Sequence, residues 1–301
     1  VVELAAALRD EVRPHLGAHA GRAHEDELGQ GGDVTFAIDE RAESYMERFL
    51  AERSPDVAFY SEDRGMIAPD GHDPEWVLVV DPIDGTRPAL AGLESCCVSV
   101  AAARLGDGEP KMGDVEVGCV TEIKSGESFV AERGKGIEPA PRLSANTEIG
   151  HMFWTYGLRG RPTMLLMDVL SELIDASSVG GSTFDLGSAT FDMTRLITGQ
   201  LDAYIEPGPR IVDELPGARR QFEAVGGGAV LNNSPYDLAA AALCLTEAGA
   251  VVTDAHGRAL DDRPLLGSGH EFQMSCVTAA TPDLHTAILK SLDSAFERLK
   301  K

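Results

Sequence analysis

The stretch Val77–Gly92, VLVVDPIDGTRPALAG, runs four apolar residues straight into Asp81-Pro82-Ile83-Asp84-Gly85-Thr86. An uninterrupted apolar run of this kind reads as a buried strand of a layered sheet. Asp81 closes the strand on this reading, because Pro82 lacks the N–H that a ladder needs. The chain then turns, and Thr86 onward forms a helix with Arg87-Pro88 in its first turn, where proline is tolerated. Asp81 and Asp84 thus face each other at the mouth of a strand, beside outward-pointing N–H groups of Gly85 and Thr86 at a helix start. Two carboxylates next to an anion site make chemical sense when divalent cations lie between them. All-oxygen donors select hard ions, and Mg²⁺ takes a few carboxylates while keeping positions for water and phosphate oxygens.

Two further acids occur in matching contexts. Glu62, in FYSED, follows an apolar run, and Asp237, in SPYDLAAAAL, opens a helix as Asp84 does. Each alone could be a strand-end charge or a cap; together with Asp81 and Asp84 they form a candidate multi-metal set. No Ser/His or Cys/His constellation competes with it.

The rest of the chain is consistent with an α/β protein of mixed sheets. Residues 1–17 and Asp39–Ser54 show apolar residues at helical spacing. CVSVAAARL, VEVGCVTEI and GESFVAERG read as an antiparallel meander, and GQGGDVT as a Gly-rich turn. Beyond residue 150, helix and strand signals alternate: PTMLLMDVLSELID, ASSVGGST, FDLGSATFDMTRLITG, LDAYIEP, YDLAAAALCLTEAGA, VVTD and a terminal helix. The division expected is 1–150, carrying most metal ligands, and 151–301, carrying Asp237 and the substrate side.

Composition narrows the function. With Lys+Arg 26 against Asp+Glu 49, the net charge is −23, which disfavours a nucleic-acid partner. No apolar run approaches the roughly 18 residues of a membrane span, and the amphipathic N-terminus does not read as a signal peptide. Five cysteines without metal or disulfide spacing fit a reducing compartment, so the expected location is cytoplasmic. The absence of a P-loop or kinase signature argues against phosphoryl transfer from a nucleotide.

WVLVVDPIDGT, the upstream SED and the later YDLAAAALCLTEAGA resemble the inositol monophosphatase family of Mg²⁺-dependent, lithium-sensitive phosphatases. GQGGDVTFAIDERAE (Gly29–Glu43) is similar to a stretch of its archaeal fructose-bisphosphatase-like branch. The resemblance implies a layered αβαβα fold of two coupled halves and a homodimer. It implies that Glu62, Asp81 and the carbonyl of Ile83 hold one Mg²⁺, that Asp81, Asp84 and Asp237 hold a second, and that a third, weaker ion has room near Glu62. It also implies that Thr86, oriented by Asp39, works with Glu62 to position and deprotonate the attacking water. The amides of Gly85 and Thr86 would grip the phosphate.

Two departures from the family pattern bear on the substrate. Arg87-Pro88 follows the D-G-T, and Arg87 is either solvated or reaches a second anionic group. A long connection, Pro207–Tyr236, precedes Asp237 and contains Arg219 and Arg220 in a base-poor chain, suggesting a lid that covers the leaving group. Ser182, Thr183 and Asp185 are further candidates for substrate contact, with helix capping the favoured role of Asp185. The expected activity is hydrolysis of a small sugar, polyol or nucleoside phosphate; the alternative is a non-catalytic protein of the same fold that binds metal or phosphate ligands.

Overall fold

The computed structural model describes residues 1–18, 24–28, 34–71, 73–106 and 108–300. Most of the Gly-rich turn read at Gly29–Thr35, namely residues 29–33, lies outside the described residues.

The chain opens with α1 (Val2–Val12), whose Leu4, Ala5, Leu8 and Val12 are buried along one stripe. A two-stranded ribbon, β1 (His24–Leu28) and β2 (Val34–Phe36), leads into α2 (Ala37–Arg53). Ile38, Ala42, Met46 and Leu50 form the buried stripe of α2. Next come β3 (Ala58–Ser61), β4 (Gly65–Ile67), β5 (Trp76–Asp84), α3 (Thr86–Ala91), β6 (Cys97–Arg104), β7 (Val115–Glu122), β8 (Ser128–Glu132) and β9 (Gly136–Glu138). These seven strands form one sheet in the order β4-β3-β5-β6-β7-β8-β9. β3 and β5 are parallel, and every other neighbouring pair is antiparallel, so the meander read from β6 to β8 is present.

The second sheet is built from β10 (Phe153–Tyr156), β11 (Ser182–Phe184), β12 (Ala203–Glu206), β13 (Val251–Thr253) and β14 (Cys276–Ala279), ordered β11-β10-β12-β14-β13. It too is mixed, parallel across β11, β10 and β12 and antiparallel elsewhere. The helices between its strands are α4 (Thr163–Ser177), α5 (Ala189–Ile197), α6 (Gly208–Glu214), α7 (Ala218–Val225) and α8 (Pro235–Ala248), and α9 (Pro282–Leu299) ends the fold.

Three apolar clusters define five layers. α1 and α2 cover one face of the seven-stranded sheet through Leu8, Met46, Leu78, Val80 and Val98. α5 and α8 fill the space between the two sheets, joining Val79, Ala101 and Phe129 to Tyr204 and Cys276. α4 and α9 close the far side of the five-stranded sheet on Trp154, Ile205 and Val277. The αβαβα order expected from the sequence is the one observed. The Ala-rich face of α8 is explained at Gly118 of β7, where a Cβ would stand 2.7 Å from the Ala240 carbonyl oxygen. A glycine under an alanine face lets the helix lie directly on the sheet.

Three local readings need correction. β5 does not stop at Asp81 but runs on to Asp84, with a register shift against β6 between Asp81 and Asp84. The irregularity takes Pro82 out of the ladder, so its missing N–H costs nothing there. The helix expected from FDLGSATFDM begins only at Ala189, capped by Ser188, whose hydroxyl accepts from the Phe191 N–H; Asp185 does not cap it. The Pro207–Tyr236 connection, read as one long loop, contains two helices, α6 and α7. Pro209 stands in the first turn of α6, a position that tolerates it. Among the described residues, no helix is long and apolar enough to cross a membrane.

Candidate metal centre

Two elements deliver one carboxylate cluster. The irregular end of β5 contributes Asp81 and Asp84, and the first turn of α8 contributes Asp237. A ligand oxygen from each of the three lies within 4.8 Å of the others. Glu62, just past β3, lines the same narrow cleft together with Ile83, Gly85, Thr86, Arg87, Arg159, Gly187 and Asp237.

Each of the three aspartates commits one oxygen to the protein. Asp81 Oδ1 accepts the N–H of Ile83 at 2.9 Å. Asp84 Oδ2 accepts from Ser188 Oγ at 2.8 Å, from the Thr190 N–H at 2.6 Å and from the Thr190 hydroxyl. Asp237 Oδ2 accepts the N–H of its own helix cap, Ser234, at 2.6 Å. Capping and ligation are thus compatible in Asp237, because a carboxylate has a second oxygen.

The electrostatics show what the cluster needs. Burial pushes the Asp81 carboxyl well above its ordinary range, and repulsion from Glu62, Asp84 and Asp237 adds to it. Burial likewise raises Asp84, opposed by the hydrogen bonds of Thr190 and Ser188. Asp237 is pushed up to about 7, by burial first and by Asp84 second. Acids gathered in a dry cleft resist ionising together unless a cation joins them. The donors are all oxygen, which suits Mg²⁺ and excludes a soft-metal site. The residues therefore fit a divalent hard cation.

Beside the cluster, Thr86 Oγ1 lies 3.1 Å from Asp39 Oδ1 and 3.2 Å from the carbonyl oxygen of Ile83, with one proton to donate between them. Asp39 Oδ2 accepts the N–H of Phe36 at 2.9 Å, which fixes the carboxylate at the start of α2. Burial is the main reason its carboxyl rises to about 7. Gly85 precedes α3 with φ of +88°, and a Cβ there would meet the Ser95 carbonyl oxygen at 2.6 Å and Ser188 Cβ at 2.8 Å. Only glycine permits both the left-handed turn and the close approach of α5.

The other sequence candidates divide. Arg87 lines the cleft, its guanidinium 5.2 Å from the Phe36 ring centre. Ser182 and Thr183 lie on the edge strand β11 and are not among the residues lining the cleft. Asp185 is exposed beyond that strand, with Arg161 as the cation acting on its carboxyl. Arg219 pairs with Glu223 at 3.0 Å and with His270 Nε2 at 3.2 Å on exposed α7, next to exposed Arg220, and neither lines the cleft. Sequence reasoning missed three residues that do matter to the geometry: Ser188 and Thr190 behind Asp84, and Arg159 on the cleft wall. Arg159 draws the carboxyls of Asp84 and Asp237 downward. The signal for Ser188 was the Gly-Ser-Ala-Thr helix start, and for Arg159 the two arginines of LRGR in an acid-rich chain.

Comparison with known proteins agrees with this architecture. A solved structure of an IMPase from Thermotoga maritima superposes with a TM-score of 0.71 at 20% identity, covering 99% of this chain and 97% of the other. An inositol-1-monophosphatase of Mesorhizobium japonicum is 27% identical over 234 residues, 75% of this chain and 74% of that protein. A fructose-1,6-bisphosphatase/inositol-1-monophosphatase of Methanothermobacter thermautotrophicus is 28% identical over 276 residues, 88% of this chain and 86% of that protein. A Nus factor SuhB of Pasteurella multocida is 25% identical over 268 residues, 88% and 84% of the two. The family model for inositol monophosphatases matches residues 1–297, and this chain belongs to the inositol monophosphatase family.

Proposed function

We propose that this protein is a Mg²⁺-dependent phosphomonoesterase that hydrolyses a small sugar, polyol or nucleoside phosphate. The observation that carries the reading is the meeting, in one cleft, of the Asp81, Asp84 and Asp237 carboxylates with the Thr86–Asp39 hydrogen bond. Glu62, Asp81, Asp84, Asp237 and the Ile83 carbonyl would hold two Mg²⁺ ions, with a third near Glu62. Bound there, the cations would lower the pKa of water and stabilise charge on the attacking and leaving oxygens.

The residues of the chain do the rest. Thr86 Oγ1 accepts the proton of the attacking water and passes its own to Asp39, whose carboxyl near 7 suits a base working at neutral pH. Glu62 helps orient that water. The amides of Gly85 and Thr86 hold the phosphoryl oxygens. A bond forms from the water oxygen to phosphorus, the ester P–O bond breaks, and the alkoxide takes its proton from solvent. Arg87 and Arg159 provide the positive charge that an anionic substrate needs to enter a cleft lined by acids. Arg219 and Arg220 stand exposed on α7, outside the cleft lining, and are not favoured as direct contacts.

The second reading, a non-catalytic metal or phosphate-ligand binder, draws support from relatives named as Nus factors. The intact acid set and the Thr86–Asp39 pair favour catalysis. A cytoplasmic homodimer is part of the proposal. Inorganic phosphate release from inositol, fructose, ribose and nucleoside phosphates, with and without Mg²⁺ and beside Asp84→Asn, tests it. Metal-dependent turnover lost in the variant supports the phosphatase, and Mg²⁺ binding without release from any ester supports the binder.

A further inference from the structure

Asp84 stands at the junction of the seven-stranded sheet and α5, and its two oxygens are used differently. Oδ2 takes three donors from the first residues of α5: Ser188 Oγ at 2.8 Å, the Thr190 N–H at 2.6 Å and the Thr190 hydroxyl. Ser188 is 3% exposed and Thr190 fully buried, so no water competes for these bonds. The terminal torsion of an aspartate is otherwise broad and roughly two-fold. Holding Oδ2 from three directions removes that freedom and fixes how the carboxylate is presented to the cluster with Asp81 and Asp237.

The two hydroxyls are not equivalent. Ser188 Oγ also accepts the Phe191 N–H at 3.2 Å and so caps α5. The Thr190 hydroxyl has no such duty in the helix. It lies within reach of the Cys97 thiol, on β6 opposite Asp84, and it donates to Asp84. Threonine is also stiff at χ1, so its hydroxyl is aimed before any cation arrives.

We propose that Thr190 is a positioning residue for the cation site: its hydroxyl fixes the rotation of Asp84 and thereby sets the affinity of the cluster for Mg²⁺. This rests on reading the cluster as a Mg²⁺ site, and it does not require that the protein be a phosphatase. Partners behind a metal ligand commonly change metal affinity by about 10- to 100-fold when removed. The low end applies here, because two donors to Oδ2 remain.

The test is Mg²⁺ binding by the full chain without substrate, measured by titration calorimetry and by the Mg²⁺ dependence of the melting temperature. Thr190→Val keeps the shape and the N–H and deletes only the hydroxyl; Thr190→Ser keeps the hydroxyl. The expected result is about a tenfold weaker Mg²⁺ dissociation constant in Thr190→Val, with Thr190→Ser within about twofold of the parent. Should Thr190→Val fail to fold, Thr190→Ala carries the same comparison. A lower metal-free melting temperature with an unchanged Mg²⁺ constant in the hydroxyl-less variant would mean a purely structural role and would overturn the proposal. A parent protein that binds no Mg²⁺ would overturn it together with the metal reading. A parent that binds Mg²⁺ yet releases no phosphate from any ester would sink the phosphatase and leave Thr190 to be judged on affinity alone.

Discussion

Removing divalent cations from this protein should make its stability fall more steeply as pH rises, and restoring them should offset that extra fall. Asp237 has its carboxyl raised from 3.8 to about 7. Asp81 is raised in the same direction, chiefly by burial. A group whose folded pKa is raised binds more protons folded than unfolded. Stability then declines with pH from the unfolded pKa up through the folded one. For Asp237 alone the window runs from about pH 4 to pH 7, and its width corresponds to about 4 kcal/mol. Asp81 adds to the loss in the same direction. A cation between these carboxylates favours their ionised forms and so offsets the loss increasingly as pH climbs.

The assay is urea unfolding at pH 5, 6, 7 and 8, once in chelator and once in saturating Mg²⁺. Asp39 and Glu43, each pushed to about 7 mainly by burial, tilt both curves alike. The gap between the curves therefore isolates the cation site. It should widen with pH by several kcal/mol before saturating, and Mg²⁺ binding at pH 6 should release protons to the buffer. Parallel curves, or a gap that narrows with pH, would refute the argument that these acids hold protons in the absence of metal.

Four further outcomes follow from the geometry. Asp39→Asn should cut kcat by about 10²- to 10⁴-fold and abolish the rise of rate with pH through 7, with Mg²⁺ affinity retained; an unchanged pH–rate profile would remove Asp39 from proton transfer. Arg159→Gln should raise KM for phosphate esters while leaving the Mg²⁺ half-saturation nearly in place, and the reverse pattern would make Arg159 a partner of the acids only. Gly85→Ala forces a left-handed alanine, costing about 1–2 kcal/mol, and adds the clash with Ser95; a lower melting temperature with loss of phosphate release is expected, and a fully active variant would contradict it. Arg161→Leu leaves the fully buried Glu206 carboxylate without its ion-pair partner, a loss of about 3–5 kcal/mol in urea unfolding; a change under 1 kcal/mol would show that Glu206 is already neutral.

What was legible in the sequence was legible for local reasons. WVLVVD is apolar enough to be a buried strand on composition alone, and the helical stripes of α1, α2 and α9 repeat over several turns. Glu62, Asp81, Asp84 and Asp237 stand out because acids at the ends of apolar runs are costly without a purpose. The missed elements lack such signals. β1 is HEDEL, with no apolar alternation, and β14 is four residues, CVTA. α6 and α7 were hidden by Pro207, Gly208, Pro209 and Gly217, which read as loop although each can stand at a helix start. The reach of Arg219 to His270 spans 51 positions and could not be inferred from either end.

The same reasoning explains why substrate-side residues were harder to choose than metal ligands. GGSTFDLGSAT contains two Gly-Ser pairs, and local pattern alone does not say which faces the cleft. The second does, because Ser188 passes close to Gly85 and Gly187 close to Pro88, and Gly85 is fixed by the turn that follows Asp84. A contact made across 104 positions, Ser188 to Asp84, thus decides the register of α5 against β5. Once that register is set, Thr190 falls one helix position beyond Ala189 and its hydroxyl donates to the carboxylate. A metal ligand is chosen by its own chemistry, whereas the group that aims it is chosen by the packing of two distant elements. The second kind of residue becomes visible only when both elements are on hand, and here it is the kind that sets how tightly the acids can be drawn around a cation.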